Sequence, residues 1–473
     1  MGPNGTLRRA LTLLAGSPLR LVPVAVLASC ALKMPPTSEE LKGQVLAPDA
    51  ALPSQWTAGG AAAGAVEANW LASFADASLD ALVAEAIAHN ADLQAAAARV
   101  EQAAGYVRVA RGELYPSLDF LGRAGGQLGG DSSGLEGVIV SASWELDVWG
   151  RVRYGVRGVK AQYGASEADF AYARQSLAAL VAKSWFLATE ASLQRDLASD
   201  MVSSAARLLN FAEQRQRIGA GSELDVTTAR INLDTYRDSL RQLDLSREQS
   251  LRSLELLVGR YPAAALMPAP QLGALPPSAP AGLPSELLER RPDVLAAVQR
   301  LAVAFNRTQE AQAARLPRFS LTGSGSSLSS DFFVLQDRDN PVWSLGGSVF
   351  APLFKGGALK AQVAVRTGEQ KEALAHYVQT ALKAFGDVEN ALSSEFALAD
   401  RERILTATVA DAARALELAE TRYRVGLGDL RQVEQQQLAY HSVRMNLLRV
   451  QSERRVQRVN LHLALGGDFA PSA

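Results

Sequence analysis

Cysteine is all but missing from this sequence: Cys30 stands alone in a chain of 473 residues. No internal disulfide framework can therefore form. Histidine is nearly as scarce. His89, His376, His441 and His462 are scattered with no ligand-like spacing, and neither a His-Glu-x-x-His zinc helix nor a Gly-x-Ser-x-Gly elbow occurs. No catalytic centre, metal site or cofactor is therefore expected. Aromatic residues make up only 6%, which argues against a compact aromatic core, and a net charge of −1 leaves no electrostatic footprint for nucleic acid. The local basic run Arg444, Arg449, Arg454, Arg455 and Arg458 is interrupted by Glu453 and has helical spacing, so it reads as a solvated helix face. Once the N-terminus is set aside, no stretch approaches the twenty or so apolar residues of a membrane-spanning helix.

What is present is Ala, Leu, Arg, Gln and Glu in long periodic segments, the composition of extended helices. The N-terminus differs. Arg8, Arg9 and Arg20 precede the apolar run Leu21 to Ala28, as in a secretory signal, and the run ends in Leu27-Ala28-Ser29-Cys30. That ending has the shape of a bacterial lipobox, whose cysteine takes up a diacylglyceryl group. A free thiol in an exported protein would be out of place, which favours Cys30 as a lipidation site carrying fatty-acyl chains such as palmitate. Ala31 follows instead of Asp, so the usual inner-membrane retention signal is missing.

The chain also repeats itself. "RQRIGAGSELDV" returns as "RYRVGLGDLRQV", with Arg217 matched by Arg424 (424 − 217 = 207), and the same offset takes Val226 to Val433 and Gly259 to Gly466. Each half holds the same order of periods. Leu79, Leu82, Val83 and Ala86 open a helix expected to run from near Ser78 past His89 toward Arg111, until Pro116 stops it. Two strand patterns follow: Leu118, Phe120 and Gly122, then Val138, Val140, Ala142, Trp144 and Leu146, each with one apolar face. From about Arg153 to Arg217 the pattern is helical for roughly 65 residues, about 100 Å at 1.5 Å per residue. Its heptad rows pair a large set (Ala173, Leu180, Leu187, Gln194, Met201, Leu208) with a small one (Leu177, Ser184, Ala191, Ala198, Ala205, Ala212), as coiled helices in close contact require. Any long helical hairpin would show the same periodicity.

In the second half, Ser285 caps a helix that Pro317 ends. Strands follow with Phe319, Leu321 and Gly323, then Trp343, Leu345, Gly347 and Val349 on their apolar faces. A last long helix, from about Lys360 to Val425, carries Leu374, Val378, Ala381, Phe385, Val388 and Leu392 at coiled-coil spacing. Four amphipathic strands cannot close a membrane barrel, which needs about eight. Three chains in cyclic symmetry would supply twelve strands and leave no edge.

"NWLASFADASLDALVAEAIAHNADLQAAAARVEQA", "WELDVWGRVR", "RQRIGAGSELDV", "LLERRPDVLAAVQRLAVA", "FAPLFKGG" and "LHLALGG" resemble the TolC-like outer-membrane efflux family. With the lipobox, the likeness is to its lipoprotein branch, which includes OprM and NodT. It covers about Asn69 to Gly467. The resemblance implies a mainly α, internally duplicated chain with a membrane β-barrel part. Four strands per protomer would complete a 12-stranded trimeric barrel, continued by a long α-helical coiled-coil tunnel in the periplasm. It implies a homotrimer in the outer membrane of a Gram-negative bacterium, lipid-anchored at Cys30, that serves as the passive exit duct of a tripartite pump. The partners would be a periplasmic adaptor (membrane fusion) protein, an inner-membrane efflux transporter and outer-membrane lipid, and the usual cargo drugs or other small toxic molecules. The expected divisions are a lipoprotein signal peptide (1–29), an acylated lead (30–68), a first repeat (69–260), a Pro-rich connector (261–284), a second repeat (285–467) and a C-terminal tail (468–473). The competing reading is a periplasmic coiled-coil lipoprotein acting as adaptor or scaffold, which has no need of four strands with an outward apolar face.

Residue roles carried over from that family begin at the helix reversals. Gly219, Gly221, Gly426 and Gly428 would form the adaptor-docking tips, where glycine accepts the left-handed conformation, although a plain helix cap accounts for them equally well. Leu224 and Asp225 fall at the constricting positions of the periplasmic aperture, and Tyr423 matches the family's tyrosine. Three symmetry copies of Asp225 would set like charges close together and favour cations; an ordinary surface carboxylate is the alternative. The second repeat departs from the pattern. Gln432 and Gln435 stand where aspartates are common, and Glu434 stands where leucine is usual, so either the aperture is less acidic or Glu434 replaces the lost charge.

Overall fold

The computed structural model describes residues 32–45, 53–58, 64, 66, 68–123, 136–329 and 341–469. Cys30, the signal segment and the Gly-rich turn at 125–134 lie outside the described residues. The first half contains α1 (Ser38–Lys42), a 3-10 turn (Trp70–Phe74), α2 (Ala77–His89), α3 (Ala91–Gly112), β1 (Ser117–Arg123), β2 (Glu136–Leu146), α4 (Arg151–Arg217) and α5 (Glu223–Val258). The second contains α6 (Pro284–Arg290), α7 (Pro292–Ala313), β3 (Arg318–Ser329), β4 (Pro341–Phe350), α8 (Ala358–Arg424) and α9 (Leu430–Ala464). The repeat is written in the helix limits. Both α4 and α8 have 67 residues, and their starts keep the sequence offset (358 − 151 = 207). No described helix is long and apolar enough to cross a membrane.

Two units share the described residues: a sheet unit drawn from 1–37, 103–163 and 299–375, and a helical unit drawn from 38–102, 164–298 and 376–473. In the sheet unit the strands lie in the order β1-β2-β3-β4, each pair antiparallel. Register aligns the alternating residues into rows. Phe120, Val140, Gly325 and Trp343 form one row, and Leu118, Ala142, Gly323 and Leu345 the next, all on one face. The other face carries Asp119, Ser141, Ser324 and Ser344, with hydroxyls paired across strands at 2.7 Å for Ser324 and Ser344. Gly325 is required by its neighbour, since a Cβ there would sit 2.6 Å from the Trp343 ring. Indole donors in and just after β2 hold the turns that lead from α3 and α7 into the strands: Trp144 Nε1 bonds the Leu114 carbonyl at 3.0 Å and Trp149 Nε1 the Pro317 carbonyl at 2.7 Å.

The helical unit is organised around α2. Its buried Leu79, Leu82, Val83 and Ala86 join Ala178, Val181, Ala182 and Trp185 of α4 and Leu251, Leu254 and Val258 of α5 in one core. The expected single helix through His89 is in fact two. Asn90 leaves helical geometry, its Oδ1 accepts from the Leu93 amide at 3.0 Å, and its Nδ2 reaches the Leu257 carbonyl at 3.0 Å. The second half breaks at the matching point (291 − 90 = 201), where Arg291 precedes Pro292 and donates to the Ala464 carbonyl. Ser285 is not the cap there. Leu283 occupies that position, because Pro284, with its fixed φ, takes the first helical turn.

Two further expectations are corrected. Of the heptad rows on α4 it is mainly the small one that is buried, through Leu177, Ala198, Ala205 and Ala212, while Leu180 and Leu187 of the large row are exposed and only its Met201 is buried. Small side chains let neighbouring backbones close, so the seam within the chain forms along them. The basic run on α9 is a solvated face only in part: Arg449 is exposed, but Arg458 is 2% exposed and Arg455 9%. Arg458 pairs with Glu395 and donates to the Pro276 and Pro277 carbonyls, Arg454 pairs with Glu402, and Arg455 bonds the Gly273 carbonyl. The reason lies in the Pro-rich connector, whose prolines leave it with more carbonyls to satisfy than amides of its own. Guanidinium groups, all donors, meet that demand. The connector's amides at Ala264, Ala265 and Leu266 are taken by buried Glu255, at 2.7, 2.6 and 3.1 Å.

Candidate functional site

The two helix reversals are built by the same bonds. At the end of α4, Ala220 N–H donates to the Arg215 carbonyl (2.8 Å) and Gly219 N–H to the Gln216 carbonyl (3.0 Å). At the end of α8, Leu427 does so to Arg422 (2.9 Å) and Gly426 to Tyr423 (3.1 Å). This is the Schellman closure, which needs a left-handed residue at its corner. Gly219 (φ 76°) and Gly426 (φ 81°) supply it. Gly221 and Gly428 have a different role from the expected one. Their φ is not left-handed, but a Cβ on either would stand 3.0 Å from a backbone nitrogen of the preceding helix, that of Gln216 or Tyr423. One glycine of each pair turns the chain, and the other lets it return against the helix it has left.

An acid takes part in capping each of the helices that follow. Ser222 and Asp225 form a capping box, the Asp225 amide bonding Ser222 Oγ at 3.1 Å and the Ser222 amide bonding Asp225 Oδ2 at 3.2 Å. Asp429 caps α9 and also receives the Arg431 guanidinium at 3.1 and 3.2 Å. The Arg431 amide and, against a slight opposing effect of burial, the Arg431 side chain hold the Asp429 carboxyl below its ordinary range.

Between the tips lies a small apolar cluster of Ala212, Val226, Ala229, Tyr423, Leu430 and Val433. Tyr423 is its polar member and is 5% exposed. Its ring meets Phe211 edge-on at 5.4 Å, and Arg215 lies over its face, 4.7 Å from the centroid. Arg215 also donates Nη1 to the Tyr423 carbonyl (2.9 Å) and Nη2 to the Ala220 carbonyl (3.1 Å), so one side chain joins both reversals. Burial raises the Tyr423 hydroxyl, Arg215 opposes that, and the charges of Asp225, Glu434 and Asp429 reinforce it. Arg215 was not singled out in the sequence, although a basic residue in the last turn before a glycine is a recognised signal.

The remaining residues expected at the aperture divide. Glu434 is half-buried, its carboxyl raised by burial, opposed by a bond to Asn232 and reinforced by Asp225 and Asp429. Tyr423, Asp225 and Glu434 are thus within electrostatic reach of one another. Leu224, Gln432 and Gln435 are instead exposed. Among the described residues no group of three or more His, Cys, Asp and Glu could hold a metal ion.

The profile of the family described as "Outer membrane efflux protein" matches residues 82–260 and 283–467, one match for each half of the duplication. Pyoverdine export outer membrane protein OpmQ of Pseudomonas aeruginosa is 31% identical over 442 residues, covering 89% of this chain and 92% of its own. Cation efflux system protein CusC of Escherichia coli is 28% identical over 409 residues, covering 85% of this chain and 88% of its own. Among solved structures, the outer-membrane channel OprN superposes with a TM-score of 0.81 at 26% identity, over 90% of this chain and 99% of its own. These relatives are channels and exporters, not enzymes. Matched through both of its repeats, the chain belongs to the TolC-like family of outer-membrane efflux proteins.

Proposed function

We propose that three copies of this chain form an exit duct through the outer membrane. The observation that carries the reading is the sheet. Leu118, Phe120, Trp343 and Leu345 on its apolar face are 71–89% exposed, and β1 and β4 are its outer strands. Covering four such side chains is worth about 6–12 kcal/mol, at 1.5–3 kcal/mol each. Lipid would cover the face, and the β1 edge of one protomer meeting the β4 edge of the next would give a closed barrel of twelve strands. In this duct the reversals at Gly219/Gly221 and Gly426/Gly428 dock a periplasmic adaptor, which links the duct to an inner-membrane transporter. Leu224, Asp225, Tyr423, Gln432, Glu434 and Gln435 surround the entrance, where Asp225 and Glu434 supply charge that Gln432 and Gln435 lack. Cys30 carries the lipid anchor. The cargo class is drugs or other small toxic molecules; pyoverdine export and cation efflux are named for the relatives OpmQ and CusC.

The test is the mass of the detergent-purified protein and its conductance in a planar bilayer, for wild type, Leu345→Arg and Ser344→Arg. A trimer that conducts is expected. Arginine on the lipid face costs about 2–4 kcal/mol at mid-membrane and should abolish insertion, whereas on the lumen face it should only alter selectivity. A monomer without conductance, or equal tolerance of the two arginines, would overturn the duct.

A further inference from the structure

We propose that a cavity beside the Arg215–Tyr423 contact binds a small hydroxylated aromatic carboxylate, with its hydroxyl at a buried floor and its carboxylate at a basic mouth. The cavity measures about 180 Å³ and lies where the ends of α4 and α8 meet the first turns of α9. That is well below the roughly 300 Å³ at which drug-sized sites begin, so a single ring fills it.

The floor is the unusual part. Tyr423 and Val433 form it with Gln437, which is 4% exposed. Among the described residues neither the Tyr423 hydroxyl nor the Gln437 amide makes a hydrogen bond, and neither is sealed off from the space it lines. Buried polar groups are nearly always bonded, so two open ones on one small cavity call for a partner. A phenolic hydroxyl both donates and accepts and can answer the two together. A carboxylate could not take that place, because Asp225, Glu434 and Asp429 all act on the Tyr423 hydroxyl and would repel it.

The walls and mouth set the rest of the ligand. Leu208 and Phe211 line the walls, and the Phe211 and Tyr423 rings already meet edge-on, which suits a further aromatic ring. Arg207 and Arg424 stand exposed at the mouth. Arg207 donates to Ser204 Oγ at 2.8 Å, and among the described residues no carboxylate pairs with either guanidinium. Exposed Glu420 is the one acid of the lining, so the mouth keeps a net positive charge. A carboxylate placed there stays hydrated and gains charge-assisted bonds. The bound molecule would touch α4, α8 and α9 together and hold both reversals in place. Every residue of the site belongs to one chain, so the inference is independent of the duct reading.

The probe is 4-hydroxybenzoate, titrated calorimetrically into the detergent-purified full chain. One molecule per chain is expected to bind, and amide exchange should slow at residues 204–211 and 420–437 and nowhere else. Gln437→Leu, and Arg207→Gln combined with Arg424→Gln, should each weaken binding by roughly tenfold. Leucine removes an unpaired amide at similar bulk, so Gln437→Leu should melt no lower than wild type without ligand. Benzoate, which lacks the hydroxyl, and 4-hydroxybenzyl alcohol, which lacks the charge, should both bind more weakly. Gln242→Leu, at an exposed position on α5, should change nothing. Absence of saturable binding, or equal binding by wild type and Gln437→Leu, would overturn the site.

Discussion

The Arg215 guanidinium lies 4.7 Å from the centre of the Tyr423 ring and donates to the carbonyl of the same residue at 2.9 Å. This pair has no second copy, because the repeat places Gln216 where Tyr423 stands (423 − 207 = 216). The contact therefore fastens the first reversal to the second in one sense only. A stacked cation contributes about 0.5–1 kcal/mol and a charge-assisted bond about 1.5–3 kcal/mol, less where water reaches the group. Arg215→Ala should loosen the end of α8 by about 2 kcal/mol, read as faster amide exchange at residues 419–424, and should raise bilayer conductance. Arg215→Lys, lacking the planar fork, should fall between the two. Unaltered exchange would show that the pair does not hold the tips.

The two glycines of each reversal should respond differently to the same substitution. Gly219 and Gly426 are left-handed with open space around them, so alanine costs about 1 kcal/mol and asparagine, which accepts that conformation, should cost less. Gly221 and Gly428 lack the room, and there asparagine should be as damaging as alanine or worse. Limited proteolysis at the tips reads the difference. Rescue by asparagine at Gly221 would contradict the close-approach role.

Arg458 should be intolerant alone and replaceable in company. Arg458→Met strands Glu395 and two proline carbonyls in a buried site, a loss of about 3–5 kcal/mol. Arg458→Met with Glu395→Leu removes both charges and should recover most of the loss. Thermal unfolding of the three proteins measures this, and a double variant no better than the single one would show that the carbonyl bonds dominate.

His462 should make the protein sensitive to mild acid. Its ring stacks on Trp70 at 5.5 Å, and burial, helped by Arg458, lowers its pKa to about 4. The unfolded chain, with histidine near 6.5, binds the proton first. Stability is therefore whole above about pH 6.5, falls as pH drops toward 4, and the loss, up to about 3 kcal/mol, is complete below that. Between pH 7 and pH 5, where most carboxylates stay ionised, the melting temperature should fall more in wild type than in His462→Phe. Parallel slopes would sink the assignment.

The periods of 3.6 and 2, the 207-residue repeat and the paired glycines are local or self-referring features, and from them the strands, the long helices and the two reversals were legible. The residues at the tips were legible as positions. Their bonding was not: nothing local tells that Asp225 closes a capping box on Ser222 or that Arg215 reaches Tyr423, 208 residues away. Nor does it tell that Gly221 and Gly428 are there for clearance. The basic run on α9 shows the limit most plainly. Its helical spacing suits a solvated face, and only the arrival of a connector rich in unpaired carbonyls turns Arg455 and Arg458 inward. The sequence by itself determined which segments are helix and strand and that the chain is duplicated, because those depend on neighbours within a few residues. The tertiary structure alone decided which face of each helix is buried and which charges are paired, because a buried donor is set by the acceptor that the fold brings to it.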